Sequence, residues 1–314
     1  MFAPTTIFAA KLDPEAIEQF VQQMQREQGL DPDTLRGELS RASRLDNVIA
    51  MIAKPAEYKP WFQYRPIFIN EARIAGGLDF WRRNAAALAA TAAATGVPPE
   101  IMIAIMGVET SYGRETGNFR VLDALATLAF GYPPRAPFFR SELMNLLLLA
   151  REEHLDPSTL KGSYAGAMGI PQFMPSSFRT YAVDFNKNGR RDIWTSPEDA
   201  IASVGNYLQR QHWQAGTPIA FRAVVTNATP PVGKSVELER SLADYATLGV
   251  KPDGAAITDV RAVLLAYEGT YASEYWLGLQ NFYVITRYNR SPKYALAVFE
   301  LAEEIRLRHA REVP

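Results

Sequence analysis

Apolar positions recur at helical spacing through the first two thirds of the chain. Asp13-Pro14 pairs an N-cap residue with Pro at the first helical position, and Ile17, Phe20, Val21 and Met24 follow on one face. A second helical pattern runs from about Asn70 through an Ala-rich stretch and stops at Gly96, with Val97-Pro98-Pro99 as punctuation. Another helix opens at Pro99, carries Ile101 to Thr110 and ends before Gly113, and Arg140 to Glu153 predicts a helix buried on more than one side. From Thr217 the period changes: Ile219, Phe221, Ala223 and Val225 alternate with other residues, Thr229-Pro230-Pro231-Val232-Gly233 forms a turn, and short β-type runs continue through Val260 to Tyr267. The last helix begins near Ser291-Pro292, with Tyr294, Val298, Leu301 and Ile305 on one stripe. The expectation is an α+β, predominantly helical protein with a small β-containing insert.

At 314 residues the chain is long enough for roughly two structural units. Lys+Arg at 33 against Asp+Glu at 34, without a like-charged block, gives no electrostatic reason for a nucleic-acid partner. The absence of Cys excludes thiol nucleophiles, thiolate metal sites and disulfides, and His154, His212 and His309 do not stand at zinc-ligand spacing. Carboxylates therefore lead as acid/base candidates. No stretch reaches the ~20 apolar residues of a membrane span, and Met1 to Lys11 is not an intact secretion signal. The chain is expected to be cytoplasmic or to have had its signal removed.

Four stretches carry candidate chemistry. Met102, Met106 and Glu109 stand at i, i+4 and i+7, so the Glu109 carboxylate continues an apolar stripe near a helix C-terminus. Burial and the helix dipole there would both raise its pKa, as a general acid requires; the alternative is a last-turn Glu pointing at solvent. The run Gly162-Ser-Tyr-Ala-Gly-Ala-Met-Gly-Ile-Pro-Gln-Phe-Met-Pro-Ser-Ser177 is either a cleft-lining loop or a tight buried connection. Asp184-Phe-Asn-Lys-Asn-Gly-Arg-Arg-Asp192 places oxygen ligands at EF-hand loop positions 1, 3, 5 and 9 with Gly at 6, although Thr195 stands at position 12 and the acids come later, as Glu198 and Asp199. An ordinary polar turn has the same pattern. Finally, Tyr267, Tyr271, Tyr275, Trp276, Phe282, Tyr283, Tyr288 and Tyr294 crowd the C-terminal region; most are core residues, and a minority could stack on sugars.

Taken in order, Glu109-Thr-Ser-Tyr-Gly113, the Gly162–Ser177 run, the Asp184–Asp192 loop and Asn281-Phe-Tyr-Val-Ile-Thr-Arg-Tyr-Asn-Arg-Ser-Pro-Lys-Tyr294 resemble the membrane-bound lytic murein transglycosylase B family, over nearly the whole chain from about residue 12. The resemblance implies a lysozyme-like core, with a wrapping helical domain (1–87, completed by 291–314), the core itself (88–207, completed by 265–290) and a small β-containing domain (208–264). It implies Glu109 as sole catalytic acid/base, and substrate contacts from Tyr64, Arg135, Ser163, Gln172, Phe173, Tyr207, Tyr288, Asn289 and Tyr294. No cofactor would enter catalysis. A structural calcium ion would be held by Asp184, Asn186, Asn188, the Arg190 carbonyl and Asp199 or Glu198. The amides at Asn186 and Asn188 depart from the family and keep the site's charge low. The implied reaction cleaves the β-1,4 bond between N-acetylmuramic acid and N-acetylglucosamine in peptidoglycan and closes a 1,6-anhydro ring, in the periplasm, with glycan strands and other cell-wall enzymes as partners. The lipid-attachment Cys of anchored members is missing, which fits a soluble form or a trimmed chain. The competing readings are a goose-type-lysozyme-like muramidase and a non-catalytic, calcium-dependent peptidoglycan-binding protein.

Overall fold

The computed structural model of the protein describes residues 12–53 and 59–312. Met1 to Lys11 lies outside the described residues, and with it the expectation about a secretion signal. The elements in chain order are α1 (Pro14–Gln28), α2 (Pro32–Ser40), α3 (Asp46–Ile52), α4 (Trp61–Phe68), α5 (Glu71–Arg83), α6 (Ala85–Thr95) and α7 (Pro99–Thr110). Then come β1 (Phe119–Arg120), α8 (Val121–Gly131), α9 (Ala136–Glu152), β2 (Lys161–Gly162), α10 (Pro175–Tyr181) and α11 (Pro197–Arg210). The last third holds β3 (Ala220–Val225), β4 (Arg240–Ser241), α12 (Leu242–Thr247), β5 (Val250–Pro252), β6 (Arg261–Glu268), β7 (Ser273–Gly278), α13 (Gln280–Tyr288) and α14 (Pro292–Glu312).

The chain divides into two compact units, residues 1–55 with 115–195 and residues 56–114 with 196–314. The expected break at 87/88 falls inside α6, and that at 264/265 cuts through β6.

In the first unit, the Asp13 carboxylate accepts the Glu15 N–H at 3.0 Å and Gly29 ends α1 at φ 65°, as the cap pattern predicts. The core is α8 against α9, and every residue from Val121 to Ala129 is buried. Buried Asp123 accepts from the Arg120 guanidinium and from the Ser43 N–H (2.9 Å), while Thr127 Oγ1 accepts the Leu45 N–H (2.9 Å). These bonds tie the entry of α3 to α8.

In the second unit, α7 is buried from Ile101 to Val108 and packs against α5 and α14. Tyr294, Val298, Leu301 and Ile305 are all buried on α14, and Ser291 Oγ accepts the Tyr294 N–H as an N-cap. The single helix expected between Asn70 and Gly96 is two helices. Asn84 (φ −121°, ψ 21°) breaks it, and its side-chain amide donates back to the Phe80 carbonyl at 2.8 Å. The insert is a five-stranded sheet of order β4-β6-β7-β3-β5, antiparallel at each pairing, with Leu264 opposite Leu277 and Arg222 opposite Trp276. Leu242, Tyr245, Val250, Leu264 and Leu277 fill one face, and Val263, Leu265 and Tyr267 on the other face of β6 are buried as well, which is why β6 reads as a nearly continuous apolar run.

Candidate active site

Glu109 occupies the last turn of α7 and is half-buried, so the apolar stripe does carry it inward. The turn that follows is unusual. Ser111 (φ 52°), Tyr112 (φ 64°) and Gly113 (φ 87°) are all left-handed, a conformation that costs a side-chain-bearing residue roughly 1 kcal/mol. The Ser111 N–H donates to the Gly107 carbonyl (3.2 Å), the Tyr112 N–H to the Met106 carbonyl (3.0 Å) and the Gly113 N–H to Thr110 Oγ1 (3.0 Å). The helix-end carbonyls are thereby satisfied at the point where the acid sits.

Tyr294 reaches Glu109 from α14, and its hydroxyl donates to Glu109 Oε1 at 2.7 Å. Burial first, and the Glu109 charge second, push the Tyr294 and Tyr288 phenols well above their ordinary pKa. Both therefore remain protonated donors across the working pH range. The Tyr288 ring stacks near Tyr294 (centroids 6.4 Å, 11°) and meets Tyr207 edge-on at 4.8 Å. The Tyr207 hydroxyl donates to the Arg287 carbonyl, one residue before Tyr288.

Exposure divides the tyrosines. Tyr288 and Asn289 are half-buried and retain access, whereas Tyr64 and Tyr294 are each 2% exposed and Tyr207 is also buried. Tyr64 and Tyr207, for which the resemblance implied substrate contacts, are thus packed inside in this structure.

In the other unit, the Gly162–Ser177 run is a tight turn built on its own backbone. Gly162 pairs with Phe119, and Met168 and Phe173 exchange N–H···O bonds of 2.8 and 3.0 Å. Gly117 (φ 90°) must be glycine, since a Cβ there would lie 2.2 Å from the Gly162 carbonyl oxygen. Ser163 Oγ accepts the Ala165 and Ala167 N–H groups at 3.3 and 3.1 Å, which occupies its lone pairs and leaves its proton for an outside acceptor. Gln172, itself left-handed (φ 51°), donates its amide hydrogens to the Thr116 and Gly169 carbonyls (3.1 and 2.9 Å), which fixes its side chain on the turn. Phe173 is 2% exposed, so the expected sugar platform is a core residue. Arg135 is exposed and rests its guanidinium on Phe138 and Phe139, at 4.7 and 5.1 Å from the ring centroids.

Glu142 was not singled out by the sequence. It is buried and accepts the Ser176 N–H (2.9 Å) and hydroxyl (2.7 Å), which clamps the end of this loop. Burial raises its carboxyl pKa, with the two Ser176 bonds opposing. The signal was present: Phe139, Glu142, Leu143 and Leu146 share one helical stripe. Tyr112 was also passed over. Its signal is the aromatic residue before Gly113, combined with glycines inside α5 and α7.

The loop after α10 folds its donors inward. Asp184 accepts the Asn188 and Gly189 N–H groups (3.1 and 2.7 Å), Asn186 accepts the Asn188 N–H (3.1 Å) and Asn188 accepts the Arg190 N–H (2.9 Å). Lys187 (φ 58°) and Gly189 (φ 85°) make the sharp turn. The loop offers the carboxylates of Asp184 and Asp192 with the amide oxygens of Asn186 and Asn188, a hard-oxygen set that suits calcium chemically. Among the described residues no group of three His, Cys, Asp or Glu gathers as a metal cluster. In the second unit, Asp199 is fully buried and Glu198 is exposed.

A half-buried carboxylate, held by a phenol at the end of a buried helix, has the makings of a general acid/base centre, and the comparisons with known proteins place it in a glycan-cleaving enzyme. Residues 13–303 match the model of the transglycosylase SLT domain. The chain is 41% identical over 300 residues to membrane-bound lytic murein transglycosylase B of Escherichia coli (strain K12), covering 92% of this chain and 82% of that protein. Among solved structures, the soluble lytic transglycosylase SltB1 of Pseudomonas aeruginosa is 47% identical with a TM-score of 0.88, over 94% of this chain and 99% of that one. The Escherichia coli lytic transglycosylase Slt35 in complex with calcium is 40% identical, TM-score 0.87, over 99% and 100%. Pseudomonas aeruginosa SltB3 in complex with NAG-anhNAM-pentapeptide is 32% identical, TM-score 0.81, over 93% and 79%. The chain belongs to the membrane-bound lytic murein transglycosylase B family, and it is a lytic transglycosylase of peptidoglycan. The muramidase and pure-binder alternatives are not favoured. Among the described residues no single helix is long and apolar enough to cross a membrane.

Proposed function

We propose that Glu109 alone serves as acid and then as base in cleaving the β-1,4 bond after N-acetylmuramic acid. The observation that carries this reading is the 2.7 Å bond from Tyr294 to Oε1 of Glu109, which orients a half-buried carboxyl group at the end of α7. Two-carboxylate glycosidases use a second acid as nucleophile or base. Here the substrate takes that part. Glu109 gives its proton to the leaving O4 as the C1–O4 bond breaks and the substrate's N-acetyl oxygen bonds to C1. Glu109, now a carboxylate, removes the proton of the C6 hydroxyl, whose oxygen displaces the N-acetyl oxygen from C1. The acid is regenerated, a 1,6-anhydro ring closes and no water is consumed.

Tyr288 and Asn289 are accessible sugar contacts on this reading, Ser163 offers its proton to an acceptor on the glycan or peptide, and Arg135 offers an exposed cation to a peptide carboxylate. The complex of SltB3 with NAG-anhNAM-pentapeptide supports such a substrate. A calcium ion in the Asp184–Asp192 loop would be held by Asp184, Asn186, Asn188 and the Arg190 carbonyl. It stabilises the turn and takes no part in the chemistry; the calcium complex of Slt35 supports the choice of ion. The periplasm is the compartment in which the murein substrate lies, and other cell-wall enzymes are the expected partners. Glu109→Gln tests the assignment: general acid/base loss costs about 10²-fold or more, and near-wild-type turnover by a clean preparation would overturn it.

A further inference from the structure

We infer that Tyr112 is a positioning residue for Glu109, locking the end of α7 onto α5 so that the carboxylate is presented in one orientation; this rests on Glu109 being the acid. Tyr112 is 8% exposed, and its ring lies in a seat made by absent side chains. A Cβ on Gly76, Gly77 or Gly107 would stand 2.9, 2.8 or 2.7 Å from a Tyr112 atom. Two of these glycines lie inside α5 and one inside α7, where Gly is the weakest helix former after Pro. Local helix stability is thus given up at three positions that face one ring.

The phenol and its neighbour close a pair of bonds between the helices. The Tyr112 hydroxyl donates to the Arg73 carbonyl at 2.7 Å, and the Arg73 guanidinium donates to the Gly107 carbonyl. Glu109 lies between Gly107 and Tyr112, so both ends of its segment are fastened to the same residue of α5. The left-handed backbone at Ser111 and Tyr112 is strain held by this fastening, and strain of this kind gathers at functional sites. Burial pushes the Tyr112 phenol up in pKa, which keeps the donor protonated. The segment so fixed is the one that brings Glu109 to Tyr294.

The test is Tyr112→Phe, which keeps the ring in its seat and removes only the bond to Arg73. Initial rates of soluble product from purified murein are measured across substrate concentration, beside Tyr245→Phe as a control. Tyr245 is a buried tyrosine of the sheet whose hydroxyl accepts the Leu264 N–H at 3.0 Å. The expected result for folded Tyr112→Phe is a fall in kcat of about tenfold or more, since small misplacements of a reacting group can cost up to 10²-fold. KM should stay within about twofold, and Tyr245→Phe should keep wild-type kcat. Wild-type kcat in Tyr112→Phe, a loss confined to KM, or an equal kcat loss in Tyr245→Phe would overturn the inference. Should Tyr112→Phe not fold, Arg73→Met removes the other bond of the pair, and its kcat should fall likewise; a wild-type value overturns the inference. An inactive Glu109→Gln beside a Tyr112→Phe of wild-type kcat refutes the positioning role alone, whereas an active Glu109→Gln refutes the acid assignment and this inference with it.

Discussion

Replacing Tyr294 by Phe removes one oxygen from the interior and takes from Glu109 its 2.7 Å donor while keeping the buried ring on α14. A hydrogen bond to a charged group is worth about 1.5–3 kcal/mol net, which would be roughly 10- to 150-fold in rate if all of it were expressed in the transition state. It is not all expressed, because the bond exists before and after proton transfer, and only the part that strengthens as Glu109 becomes anionic lowers the barrier. The expectation is therefore a fall in kcat of about tenfold, with about 100-fold as the ceiling. The sign of the pH effect follows from the same bond. The phenol stays protonated because burial and the Glu109 charge raise its pKa, and its donation favours carboxylate over acid. Without it the neutral acid is favoured, so the alkaline limb of the kcat profile moves to higher pH. The assay is initial release of soluble product from purified murein across pH. A folded Tyr294→Phe enzyme with wild-type kcat and an unmoved alkaline limb would refute the reasoning.

Other expectations concern the loops. Calcium at millimolar concentration should raise the thermal midpoint over that in chelator, since a ligand binding only the native state adds RT ln(1 + [L]/Kd); Asp184→Ala should abolish the difference, and identical midpoints for the wild type would mean an ordinary polar turn. The buried Glu142 carboxyl has its folded pKa raised by desolvation, so its contribution is greatest below the ordinary carboxylate pKa and is lost as pH rises through the folded value. Glu142→Gln should accordingly make the melting temperature less dependent on pH between about 4 and 7, and parallel curves for the two chains would count against that. Gly117→Ala places a Cβ 2.2 Å from the Gly162 oxygen at φ 90°, and urea titration should show a loss of at least about 2 kcal/mol.

What could be read in advance was local. Asp13-Pro14 and Ser291-Pro292 start helices where expected because a cap needs only residues two or three positions away, and Pro99 does so without a side-chain cap, its ring fixing φ at the first helical position. The break at Asn84 was hidden because the Ala-rich run continues the helical composition on its far side, and the decisive bond, from the Asn84 amide to Phe80, leaves no trace in hydrophobic period. Glu109 was legible from its place on the Met102–Met106 stripe. The seat of Tyr112 was not, since it joins glycines of α5 to a glycine of α7 about thirty residues further on. Among the aromatics, composition marked them all alike, and tertiary packing alone put Phe173 in the core and left Tyr288 accessible.

The central claim is that one carboxylate closes a ring without water, and the products report this directly. Purified murein is digested in isotopically labelled water with wild-type enzyme and, in parallel, with Glu109→Gln, and the soluble fragments are weighed by mass spectrometry. The account predicts wild-type fragments one water lighter than the hydrolysis products, free of label at the cleaved end, and almost no fragments from Glu109→Gln. Labelled, reducing-end fragments from the wild type, or abundant anhydro fragments from the Glu109→Gln enzyme, would contradict it.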